Sequence, residues 1–123
     1  MILYGKEVKF LRTVSATCEI ADLCEDGNLE NYTKLFTGPT AQAIRNKAKV
    51  IHALAEGYEL HRALEDPEHK PDAITVEQIL ALKSDDFIKL YDEAFEALFF
   101  DEAAKATVET QPSKKDEEEA AGK

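Results

Sequence analysis

Ala41-Gln-Ala-Ile-Arg-Asn-Lys-Ala-Lys-Val-Ile-His-Ala-Leu-Ala-Glu-Gly-Tyr-Glu-Leu-His-Arg-Ala-Leu64 reads as one long helix. Ile44, Ala48, Ile51, Ala55 and Tyr58 recur at helical spacing, and Val50, Leu54 and Leu64 widen the stripe. Arg45, Lys47 and Lys49 decorate the outside as a solvated face. Gly57 interrupts the pattern. Glycine costs roughly 1 kcal/mol against alanine inside a helix, so its presence predicts close packing or a bend. This stretch sets a mainly α reading, and the rest of the chain is arranged around it.

On the N-terminal side, Thr37-Gly-Pro-Thr40 breaks a short helical turn over 29–36 that presents Leu29, Tyr32, Leu35 and Phe36. Before it, Glu25-Asp-Gly-Asn28 is a turn cluster in which Gly27 can take the left-handed conformation. Residues 13–25 read as a first helix, capped by Thr13 or Ser15. Val14, Cys18 and Ala21 are its expected buried side, widened by Ile20 and Leu23. The first ten residues alternate Glu7, Val8, Lys9 and Phe10 after Ile2-Leu-Tyr4, the pattern of a β-hairpin. Gly5 fits the first position of a two-residue type II′ turn over Gly5-Lys6. A lone hairpin is marginal in water, so its apolar face needs helices or another chain's strands.

On the C-terminal side, 66–72 is a loop punctuated by Pro67 and Pro71. Thr75-Val-Glu-Gln78 is a capping box opening a short helix with Val76, Ile79, Leu80 and Leu82. Ser84-Asp-Asp86 caps a final helix. Phe87, Ile88, Tyr91, Phe95, Leu98 and Phe99 line one face, with Asp92, Glu93 and Glu96 on the other. The helix is expected to fray over 103–107. Beyond it the chain is polar, ending Lys114-Lys-Asp-Glu-Glu-Glu-Ala-Ala-Gly-Lys123, with little to bury. The expected organisation is a helical domain over 1–105 and a disordered polar tail over 106–123.

The chain has 123 residues, a formal net charge of −10 and 33% charged residues. About 105 residues before the tail suffice for one modest core. The acidic balance argues against nucleic acid, which needs a basic surface, and against anionic membranes. No signal peptide and no run of roughly 18 apolar residues is evident, which reads as a cytoplasmic protein. Cys18 and Cys24 are the two cysteines. They read as reduced, partly buried thiols, since no second pair completes a zinc site.

The motifs for chemistry are sparse. His52 and Glu56 stand four apart on the long helix and could touch one ion, but no second ligand pair has matching spacing, and a polar helix face explains them equally well. There is no nucleophile elbow, Walker loop or dinucleotide fingerprint. Asp85 and Asp86 suit the positive end of a helix. No cofactor and no enzymatic activity are expected. The aromatic run Tyr91, Phe95, Phe99 and Phe100 is the candidate partner-binding face. Phe99 and Phe100 point about 100° apart, so one can enter the core while the other faces outward. Either both are covered by the hairpin or by 29–36, or they form an apolar patch that holds a partner helix.

The order of parts resembles a known family. A Gly5-Lys-Glu7 hairpin precedes Thr13-Val-Ser-Ala-Thr-Cys-Glu-Ile-Ala-Asp-Leu-Cys24. A long helix with Leu54-Ala-Glu-Gly-Tyr58 follows, then Ile74-Thr-Val-Glu-Gln-Ile-Leu-Ala-Leu82 and an acidic helix with a charged tail. Over about residues 1–110 this resembles the tail assembly chaperones of long-tailed bacteriophages and prophages. The resemblance implies a non-enzymatic protein in the cytoplasm of a bacterial host that is left out of the mature virion. Its implied partners are the helical tape measure protein, which it holds, and the major tail protein, which it helps to recruit. It also implies a programmed frameshift beneath Lys114-Lys115 or Gly122-Lys123, which the gene sequence decides. The free edges of the hairpin make self-association a further expectation. The alternative is a small acidic helical adaptor or regulator that binds another protein through the same face.

Overall fold

The computed structural model describes residues 1–99. A two-stranded antiparallel hairpin, β1 (Ile2–Leu3) and β2 (Lys6–Glu7), leads into α1 (Val14–Leu23). A 3-10 turn (Glu25–Gly27) and a 3-10 segment (Leu29–Phe36) follow, then α2 (Thr40–Glu65), α3 (Val76–Leu80) and α4 (Ser84–Phe99). The fold is mainly α with the expected N-terminal hairpin. The expected boundary at 105/106, the fraying over 103–107 and the tail lie outside the described residues.

Helix α2 is the axis. Helices α1, α3 and α4 and the 3-10 segment all pack against it. Ala48, Val50, Ile51, Ala53, Leu54, Ala55 and Gly57 are buried, and such closely spaced positions point to several sides of a helix. The middle of α2 is therefore enclosed rather than one-faced. Its two ends are not. Ile44 is 39% exposed and Leu64 83% exposed, so the expected stripe is corrected at both extremities. The small residues at 48, 53, 55 and 57 let the surrounding elements approach the axis closely.

Helix α1 lies in a different phase from the expected one. Ala16 and Ile20 are buried, with Cys24 just beyond the helix, while Val14 is 83% exposed and Cys18 is exposed. The reason is the contact with Gly57. A β-carbon built there would lie 2.5 Å from the Leu11 carbonyl oxygen, 3.0 Å from Thr13 Oγ1 and 3.4 Å from the Ala16 β-carbon. The start of α1 sits directly on the α2 backbone, and only a residue as small as Ala16 can face it. Thr13 supplies the cap, accepting from Ala16 N at 3.1 Å. The main chain is tied at the same place by Leu11 N donating to Leu54 O at 3.1 Å. The Cys24 thiol donates to Ile20 O at 3.4 Å, and burial raises its pKa, which keeps it a thiol.

The hairpin turns one residue earlier than expected. Ile2 pairs with Glu7 and Leu3 with Lys6, leaving Tyr4 and Gly5 as the turn residues. Both have positive φ, 53° and 81°, which is the mark of a type I′ rather than a type II′ turn. Tyrosine is a costly choice there. Its hydroxyl donates to Gln78 O at 2.7 Å, and this long-range bond holds it. Lys6 Nζ reaches Asp72 O and Asp72 Oδ2 at 2.5 and 3.2 Å. The hairpin thus rests on α3 and the preceding loop, with Leu3 and Val8 buried.

The capping box forms as read. Thr75 Oγ1 accepts from Gln78 N, and Gln78 Oε1 accepts from Thr75 N. In α4 the deepest residues are Leu90, Ala94 and Leu98, spaced by four and set on the side that meets the core. Ile88 is 57% exposed, outside the face to which its spacing assigned it. The aromatic residues of α4 flank the buried seam and are partly buried.

Candidate functional site

Tyr91, Phe95 and Phe99 recur every fourth residue and so form a ridge along α4. Tyr91 and Phe95 have ring centroids 5.6 Å apart, and Phe95 and Phe99 4.7 Å apart. The 3-10 segment adds two more rings. Tyr32 lies 4.9 Å from Phe99, and Phe36 lies 5.7 Å from Tyr91 and 6.3 Å from Phe95. All five of these pairs are edge-on or tilted, away from the face-to-face stacking that ring quadrupoles disfavour. Lys47 Nζ stands 4.9 Å from the Tyr91 ring centre, so this lysine covers the ridge from the α2 side. Burial, with a smaller contribution from Asp92, pushes the Tyr91 hydroxyl up to about 12. Phe100 lies outside the described residues.

The structure therefore brings Tyr91, Phe95 and Phe99 together, and it covers them in part with 29–36. By spacing, Tyr32 and Phe36 belong to the apolar side of that segment. Cover of Phe99 by 29–36 is one of the two alternatives the sequence leaves open, and Tyr32 takes that place; the further contacts of Phe36 with Tyr91 and Phe95 have no signal in the spacing, because the two segments are far apart in the chain.

A second apolar feature was missed. A groove of about 520 Å³ runs between the start of α1 and the end of α2, with Leu11, Val14, Leu60 and Leu64 along it and His61 at its edge. Spacing alone places Val14 and Leu64 in the core, and the structure leaves both 83% exposed. The available signal was the four-residue spacing of Leu60 and Leu64 on the side of α2 away from Ile51.

His52 opens onto a cleft of about 260 Å³ that Glu19, Asp22 and Lys49 also line. His52 Nδ1 lies 2.8 Å from Ile74 O, so this nitrogen carries the proton and donates it, tying α2 to the segment before α3. His52 Nε2 is 3.9 Å from Glu56 Oε2. Among the described residues, no three histidine, cysteine or carboxylate side chains converge as a metal site. Glu59 has an organising role in the loop, where its Oε1 accepts from Asp72 N at 3.1 Å and meets His69 Nε2 at 2.8 Å.

Glu19 carries a measurable consequence. Partial desolvation of its carboxyl, on an otherwise exposed side chain, raises its pKa above the ordinary 4.5, and hydrogen bonding and repulsion from Glu56 add to this, while His52 opposes it. The folded protein thus holds this proton to a higher pH than the unfolded chain does. Stability from this group is present below about pH 4.5 and is lost as pH rises through the folded pKa. Glu19→Gln should therefore raise the urea midpoint at pH 7 and give little gain at pH 4. An equal gain at both pH values would show that ionisation of Glu19 is not the cause.

Comparison with protein families, with characterised proteins and with solved structures finds no match to this chain. Among the described residues, no helix is long and apolar enough to cross a membrane.

Proposed function

We propose that this chain is a non-enzymatic phage tail assembly chaperone that holds the helical tape measure protein and helps bring major tail protein to it. The observation that supports the reading is the run of five rings, Tyr32, Phe36, Tyr91, Phe95 and Phe99, partly open at the surface on one side of α4. Partner helices dock on such ridges through apolar anchors at helical spacing. Aromatic anchors bury much area at little entropic cost. The acidic surface keeps a protein with such a face dispersed while it waits for its client. The same surface would serve a small acidic adaptor, which is the second reading. A tape measure gene beside this one favours the first.

The test is co-purification with a tape measure fragment. Phe95→Ser with Phe99→Ser should lower the affinity by about tenfold or more while helical content is kept. Val14→Asp with Leu64→Asp should leave it unchanged, although these residues are more exposed. Loss through the groove pair alone would move the client to that groove. Retention by both folded variants would end the chaperone reading for this face.

A further inference from the structure

Four apolar side chains from two parts of the chain line the groove between the start of α1 and the end of α2. Val14 and Leu64 are each 83% exposed and Leu60 43%, and Leu11 completes the lining. Single exposed apolar residues are ordinary, but several around one groove of about 520 Å³ mark a surface that another surface covers. The groove shares no residue with the α4 ridge, so its use does not depend on how that ridge is used.

The charges on its two walls differ in sign. On the α1 side, the chain from Val8 to Cys18 carries Lys9 and Arg12 and no acidic residue, on a protein of net charge −10. Arg12 lines the groove. It already has a contact within the chain, and a guanidinium with five N–H donors can serve a second carboxylate beside the first. On the α2 side, Glu65, Asp66 and Glu68 follow Arg62. The Glu65 side chain is 59% exposed, and His61 Nε2 lies 3.4 Å from its Oε2. One wall is thus basic and the other ends acidic. An acidic partner would meet both the net charge and the acidic wall, whereas a basic partner would meet Arg12. A surface with one wall of each sign is complementary to itself once turned over by a two-fold axis.

We propose that a second copy of this chain covers the groove. In the resulting two-fold dimer, Leu64 of each copy enters the groove of the other against Leu11 and Val14, and Glu65 of each copy faces Arg12 of the other. The axis runs along the groove beside the two Leu64 side chains, so every contact is made twice. The surface is small, so association belongs to micromolar concentrations or above, and dilute chains are single. Leu64 therefore contributes to association and not to the stability of the separate chain.

Sedimentation velocity of the full chain over a concentration series tests this. The mass should rise from one chain towards two at high micromolar concentration. Leu64→Asp alters an exposed side chain and should keep the helical content, yet raise the dimer dissociation constant about tenfold or more. Arg12→Glu and Glu65→Arg, each alone, set like charges against each other at both copies of the pair and should weaken association about tenfold. Mixed in equal amounts, the two variants should associate again, because the mixed dimer has one native pair and one exchanged pair. A full chain that stays single at the highest concentration overturns the proposal. So does a dimer that survives Leu64→Asp, or a pair of folded charge variants that stays weak when mixed. If Arg12→Glu loses helical content, Leu64→Asp decides the outcome by itself.

Discussion

Gly57→Ala is expected to destabilise the protein by about 2 kcal/mol, although alanine ordinarily gains roughly 1 kcal/mol over glycine inside a helix. The added methyl would meet backbone, the Leu11 carbonyl oxygen at 2.5 Å, as well as Thr13 Oγ1 at 3.0 Å. Neither neighbour can step aside freely. Leu11 N is bonded to Leu54 O, and Thr13 Oγ1 caps α1 through Ala16 N. Relief would require the 11–13 segment and the first turn of α1 to lift from α2 together. A denaturant titration compares the two midpoints. A midpoint unchanged or raised in the variant would show that α1 does not seat on Gly57.

Leu54→Ala is expected to cost more, about 3–4 kcal/mol, a large share of the 5–15 kcal/mol that holds a typical domain. The side chain is fully buried at the middle of α2, where the surrounding elements meet, so no one of them can collapse into the space without leaving another. Leu64→Ala removes the same atoms from the same helix ten residues on. It should change stability by less than about 0.5 kcal/mol, because Leu64 is 83% exposed. The pair separates burial from side-chain chemistry. Similar losses at both positions would mean that Leu64 is packed, which would also close the groove at the end of α2.

What the chain order revealed was local. The Thr75/Gln78 box, the Thr13 cap, the loop through Pro67 and Pro71 and the long helix all depend on residues within a few positions of one another, and all are present. The phase of α1 was not legible, because Ala16 is chosen by Gly57 across an interface and the helix carries apolar residues on two sides. Tyr4 was not legible as a turn residue, because what holds it there is Gln78, far along the chain. In α4 two apolar stripes run side by side. Spacing identified the aromatic one, which became the candidate face, but could not say that Leu90, Ala94 and Leu98 lie deeper. For the site, the ridge Tyr91, Phe95 and Phe99 was visible as periodicity. Cover of Phe99 by 29–36 is one of the two readings the sequence leaves open, and Leu64 has its spacing from Leu60 as a signal; which rings meet, and the exposure of Val14, are tertiary facts with no local trace.

The seating of α1 on Gly57 has a consequence for synthesis. Translation produces the hairpin and α1 well before the helix on which both depend. Until α2 has emerged as far as Gly57, Ala16 lacks the backbone it faces, and the Leu11 amide lacks its Leu54 acceptor until that residue is made. The seating of α1 is thus a long-range contact that forms only after α2 has been made, one of the non-local pairings that slow folding.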